Sequence, residues 1–154
     1  MKWVLNEINQ VLVMSTTISI STKINAPIDT VWQCWTDPEH IVNWHHASND
    51  WHAPRTEIDF TIGGAFLIRM EAKDGSTGYD FSGRFASIDR PKSITSFLDD
   101  GRSILLKFSQ KSGVTTVKED FEPEEETPTE QQRMERQTIL NNFRLYVEML
   151  PTQG

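Results

Sequence analysis

Between Thr56 and Phe121 the chain repeats one device: a run of alternating apolar and polar residues, then a turn built on glycine, aspartate or proline. Thr56–Ile62 ends at Gly63-Gly64, expected as a tight hairpin, Ala65–Ala72 at Asp74-Gly75, and Tyr79–Ile88 near Arg90-Pro91. Ser93–Leu98 ends at Asp99-Asp100-Gly101, Arg102–Gln110 turns at Lys111-Ser112-Gly113, and Val114–Phe121 closes the series. Alternation with period two marks a strand with one buried face. Parallel strands need crossovers of a dozen or more residues, so connections this short predict an antiparallel meander. Ile18, Ile20, Thr22 and Ile24, interleaved with Ser19, Ser21 and Lys23, add an earlier strand, for about seven in all.

A curved sheet of this kind cannot bury its concave face alone and must be covered by helices. Asn25-Ala26-Pro27 opens a short helix with proline in its first turn, carrying Ile28, Val31, Trp32 and Trp35 on one face. Asp37-Pro38 opens a second, with Asp37 as N-cap and Ile41 and Trp44 following. After the acidic Glu122–Pro128, Thr127 with Glu130 three residues on predicts a capping box. The long helix it starts runs to about Met149, before Pro151, with Ile139, Leu140, Phe143, Val147 and Leu150 as its apolar face. The pattern predicts an α+β fold in which a curved antiparallel sheet wraps on a long C-terminal helix. A single straight helix against such a sheet leaves a gap where small ligands sit.

The 154 residues suit one domain with one core, expected over residues 16–150, with a tail at 151–154. Residues 1–15 are expected to be an N-terminal extension, with Met14 as an alternative start. Val4, Leu5, Ile8, Val11 and Leu12 have helical spacing there, but the polar residues among them rule out a membrane span or signal sequence. A net charge of −7 without a basic stripe argues against nucleic acid. Cys34 is the sole cysteine, which excludes an internal disulfide and a thiolate zinc site and suits a reducing cytoplasm.

The stretches INAPIDTVWQCWTDPEHIVNW, IDFTIGGAFLIRMEAKDG, YDFSGRF, VKEDFEPE and ILNNFRLYVE, in that order, resemble the SRPBCC superfamily. More narrowly, they resemble the family related to the activator of heat-shock protein 90 ATPase. The resemblance covers about Ile18 to Leu150. It implies the helix-grip (START-like/Bet v-like) fold with an apolar cavity between sheet and C-terminal helix, and it transfers no catalytic residue. Many relatives carry Trp-Trp where this chain has Trp44-His45-His46, and a tryptophan where it has Arg136. Both departures fall near the implied cavity.

All four histidines (His40, His45, His46, His52) and three tryptophans (Trp35, Trp44, Trp51) lie between Trp35 and Pro54. Their spacing matches no standard metal site, so the histidines are expected at a pocket rim and no metal or cofactor is expected. Cys34 has no basic neighbour fixed by sequence and is expected to be an inert packed thiol. Glu119 shares a strand face with Val117 and Phe121, so it should point inward, with Arg136 as its partner. The expected ligand-binding residues are Trp44, Trp51, Phe66, Ile68, Met70, Phe81, Phe85, Phe108, Glu119, Arg136, Leu140 and Phe143, with Phe143 guarding the cavity. The reading is a binding module for an apolar or amphipathic small molecule. Two alternatives stay open: a cyclase-like or hydrolase-like enzyme using Glu119, and a chaperone-associated regulatory protein, the latter by analogy with the family name alone.

Overall fold

The computed structural model describes residues 17–151; the expected N-terminal extension falls wholly outside them, as do the residues beyond Pro151. Strand β1 (Ile18–Ile24) leads into helices α1 (Ile28–Thr36) and α2 (Pro38–Ile41). Strands β2 (Trp51–Ile58), β3 (Ala65–Ala72), β4 (Gly78–Asp89), β5 (Ser93–Leu98), β6 (Ser103–Lys111) and β7 (Val114–Phe121) follow, and α3 (Thr129–Met149) comes last. All pair antiparallel in one curled sheet, ordered β1-β7-β6-β5-β4-β3-β2. This is the α+β helix-grip arrangement that the alternation implied.

Strands β3, β5, β6 and β7 bury alternate residues. Phe66, Ile68 and Met70 on β3, Ile104, Leu106 and Phe108 on β6, and Val117 and Phe121 on β7 all enter one core. From α3 come Leu140, Phe143 and Val147, all within 3% of complete burial. Each such side chain stabilises the fold by about 1.5–3 kcal/mol relative to exposure. Helix α3 also closes one edge of the sheet: Arg133 donates to the Ser19 carbonyl and Gln137 to that of Ser21, both at 3.2 Å. The opposite edge strand, β2, carries Pro54 and a register shift between His52 and Arg55, which blunt it against further pairing.

Three local expectations need correction. Strand β2 starts at Trp51 and ends at Ile58, not at Thr56 and Ile62. Residues 59–64 form a wider loop that turns Phe60 inward against Trp32 and Phe85. Gly64 is required there, because a Cβ would overlap the Asp59 carbonyl oxygen. Pro27 occupies the N-cap position of α1 rather than its first turn. The box expected at Thr127 does not form; Pro128 is the N-cap of α3 and no side chain caps it. The buried Gln132 instead fastens this end, donating to the Glu124 and Thr127 carbonyls (3.0 and 2.7 Å) and accepting from the Glu124 N–H (3.0 Å). Asp37 does cap α2, accepting from the Glu39 N–H at 2.9 Å.

Candidate functional site

The alternation of β7 turns Glu119 into the interior, where its side chain is 4% exposed. Directly above it, α3 lowers Arg136, whose Nε and Nη2 both lie 3.0 Å from Oε2. Oε1 receives neither contact. The guanidinium also sits over the rings of Phe81 (5.1 Å) and Phe121 (5.3 Å), where ring faces attract a cation. A carboxylate this deep is costly without a counter-charge, and the pairing removes most of that cost.

His45 lies beside this pair. The sequence reading put the histidines at a rim, but His45 is buried, with its ring near Trp44 (5.6 Å) and Phe81 (5.5 Å). Burial, followed by the positive charge of Arg136, lowers its pKa from 6.5 to about 3, so it is neutral at physiological pH. Its Nδ1 is 3.3 Å from the Met70 sulfur. Methionine has no proton to give, so a hydrogen bond there places the proton on Nδ1 and leaves Nε2 an acceptor.

A cavity of about 70 Å³ remains between the sheet and the helices. Of the expected ligand-binding residues, Trp44, Phe66, Ile68, Phe81, Phe85, Glu119 and Arg136 border it. The other five stand elsewhere. Met70 lies behind His45, and Phe108 packs edge-on to Trp32 and Trp35 (5.2 and 6.2 Å). Trp51 meets Tyr79 near the sheet edge, and Leu140 belongs to the solid core. Phe143 is fully buried behind Trp35 and Trp44, with ring centroids 4.8 and 4.6 Å away, and does not guard the space.

His45, expected only at the rim, belongs to the wall itself, and sequence reasoning missed Trp35, Thr36, Ile41, Ile58, Phe60, Ile94, Ser96, Ile104 and Leu106 as wall residues. The inward phase of β5 and β6 could have supplied Ile94, Ser96, Ile104 and Leu106. A surface cleft of about 430 Å³, lined by Tyr79, Leu98, Arg102, Phe121, Gln132 and Glu135 among others, shares Phe81, Ile104 and Arg136 with the cavity. These three side chains line both spaces.

The remaining histidines tie the loop to α3 or stand apart from it. His40 Nδ1 is 2.6 Å from the Tyr146 hydroxyl, and Asn142 donates to the His46 carbonyl at 2.6 Å. His52 is half-buried in β2. Among the described residues no three His, Cys, Asp or Glu side chains converge to hold an ion. Burial, then Asp37, pushes the Cys34 thiol up to about 11, which keeps it protonated and unreactive at neutral pH. No helix among the described residues is long and apolar enough to cross a membrane.

Residues 25–148 match the family described as "Activator of Hsp90 ATPase homolog 1-like protein". The chain is 37% identical to an AHSA1-like protein from Aeromonas hydrophila solved by NMR, with 90% of this chain and 99% of that one covered at a TM-score of 0.81. A protein from Cytophaga hutchinsonii is 34% identical, with 90% and 99% covered and a TM-score of 0.76. A crystal structure from Chromobacterium violaceum is similar in fold, at 18% identity, 88% and 99% coverage and a TM-score of 0.76. No curated protein matches the chain.

Proposed function

We propose that this chain, which belongs to the family of Activator of Hsp90 ATPase homolog 1-like proteins, is a module that holds a small apolar or amphipathic molecule in its interior cavity. The observation that carries this reading is the 70 Å³ space itself, bordered mainly by aromatic and aliphatic side chains with one polar corner. Protein interiors are otherwise close-packed, with few voids larger than a water. Apolar walls with a few placed polar groups are the usual chemistry of a small-molecule site. The neighbouring cleft, which shares Phe81, Ile104 and Arg136 with the cavity, provides room for a longer tail.

The pairing of Glu119 with Arg136 weighs against the enzyme alternative, because a proton-shuttling carboxylate works best with its charge uncompensated. The chaperone-associated alternative rests on the family description. The single protonated Cys34 suits a cytoplasmic setting. Native mass spectrometry of freshly purified protein is the test, with a co-purifying small molecule as the expected result. A protein that carries nothing, and whose amide resonances around Phe81 do not move when small organic molecules are added, would refute the role.

A further inference from the structure

We infer that the molecule held in this cavity is uncharged and carries an O–H or N–H donor, and that this donor end docks on Oε1 of Glu119. The inference rests on the ligand-holding role proposed above and adds the chemical class of the ligand.

Charge is the first constraint. Among the described residues, Glu119 and Arg136 are the only charged side chains on the cavity wall, and they neutralise each other at 3.0 Å. His45, the third ionisable group there, stays neutral because burial and Arg136 both oppose its protonation. A carboxylate ligand would have to take Arg136 from Glu119 and leave a buried anion unpaired. An ammonium ligand on Glu119 would bring a second cation beside Arg136. Either case removes an ion from water without a net counter-charge. A neutral molecule meets neither cost.

The second constraint is what the polar corner leaves unused. Both contacts from Arg136 end on Oε2, and the guanidinium is held further by Phe81 and Phe121. Oε1, on a side chain bordering the cavity, receives neither contact. Nε2 of His45 is an acceptor by the same tautomer argument that places the proton on Nδ1 against Met70. A carboxylate oxygen and an unprotonated imidazole nitrogen can only accept, so a hydroxyl or N–H satisfies them and an ether or hydrocarbon does not. The remaining wall, including Trp44, Phe66, Phe85 and Leu106, is apolar except for two hydroxyls: that of Thr36, which donates to the Trp32 carbonyl at 2.9 Å, and that of Ser96. The donor therefore lies at one end of a small apolar skeleton, with any longer tail directed past Phe81 and Ile104 to the cleft.

Four probes of matched skeleton test this at pH 7: 1-butanol, its isomer methyl propyl ether, butanoate and butylammonium. Amide shift titrations followed at residues around Phe81 and Trp44 give the dissociation constants. 1-Butanol is expected to bind about tenfold or more tightly than the ether, as expected for a hydrogen bond to a charged acceptor, and more tightly than both ions. In the Glu119→Met/Arg136→Met double variant, which removes the carboxylate acceptor and keeps the cavity neutral, the alcohol's advantage over the ether is expected to fall severalfold, to what the neutral His45 Nε2 alone supports. If the ether or either ion matches the alcohol on the wild-type protein, the inference is overturned and the ligand-holding role survives. An alcohol preference that persists undiminished in the double variant overturns the docking on Glu119. If neither alcohol nor ether shifts any resonance, the inference falls together with the role it rests on.

Discussion

Replacing His45 by leucine should change how stability depends on pH. The folded chain holds His45 at a pKa of about 3 against an ordinary 6.5, with desolvation as the largest cause and Arg136 the next. Below pH 6.5 the unfolded chain therefore gains a proton that the folded chain refuses. The contribution of neutral His45 is fully present above 6.5 and is lost as pH falls from there towards 3. Each pH unit inside that window costs up to about 1.4 kcal/mol, so between pH 7.5 and 5 the loss from this residue is about 2 kcal/mol. His46, lowered by its own burial and by Lys73, adds loss of the same sign, but does so in both proteins. Urea melts of wild type and His45→Leu at pH 7.5, 6 and 5 isolate the term, because every other titrating group is shared. The stability gap should shift by about 2 kcal/mol in favour of leucine on going to pH 5. Parallel pH profiles would refute the burial argument, since they would mean that His45 titrates alike in both states.

Two further predictions concern packing and the ion pair. Phe143→Ala should cost about 3–5 kcal/mol, the penalty for emptying a solid core position, because Phe143 is fully buried between Trp35 and Trp44; a denaturant midpoint that barely moves would show a loosely filled site instead. Arg136→Met alone should destabilise by about 3 kcal/mol by stranding the Glu119 carboxylate, whereas Glu119→Met/Arg136→Met should recover most of that loss, and equal stabilities for the single and double variants would contradict the pairing.

The elements closed by tight turns were legible in the sequence. Ala65–Ala72, Ser93–Leu98 and Val114–Phe121 have the bounds that the alternation gave them. Gly75, Gly101 and Gly113, each with φ between 79° and 94°, mark where the chain must reverse. Glu119 was legible too, since a residue two positions from Val117 and Phe121 on a strand must share their face. Strand β2 was obscured because Pro54 and the preceding His and Trp residues look like a loop, although an edge strand tolerates them. His45 gave no signal: Trp44, His45 and His46 follow a short helix with no period to say which side chain turns inward. The cavity wall was only half legible because alternation separates core from solvent but not core from void. Phe143 and Phe81 carry similar patterns, and only the gap between elements puts one behind tryptophans and the other beside empty space.

Every strand pairing but one joins neighbours in the chain; the exception is β1 with β7, where Ser19 and Asp120 meet across a separation of 101 residues. During synthesis β1 leaves the ribosome long before its partner exists, and its other edge waits for Arg133 and Gln137 of α3. The meander β2 to β6 can zip locally, but its concave face stays uncovered until α3 emerges. Loop closure of this length must precede the contacts that reward it. Folding is thus held back until α3 has been made, and a nascent chain stalled before α3 is an open sheet with an unpaired edge.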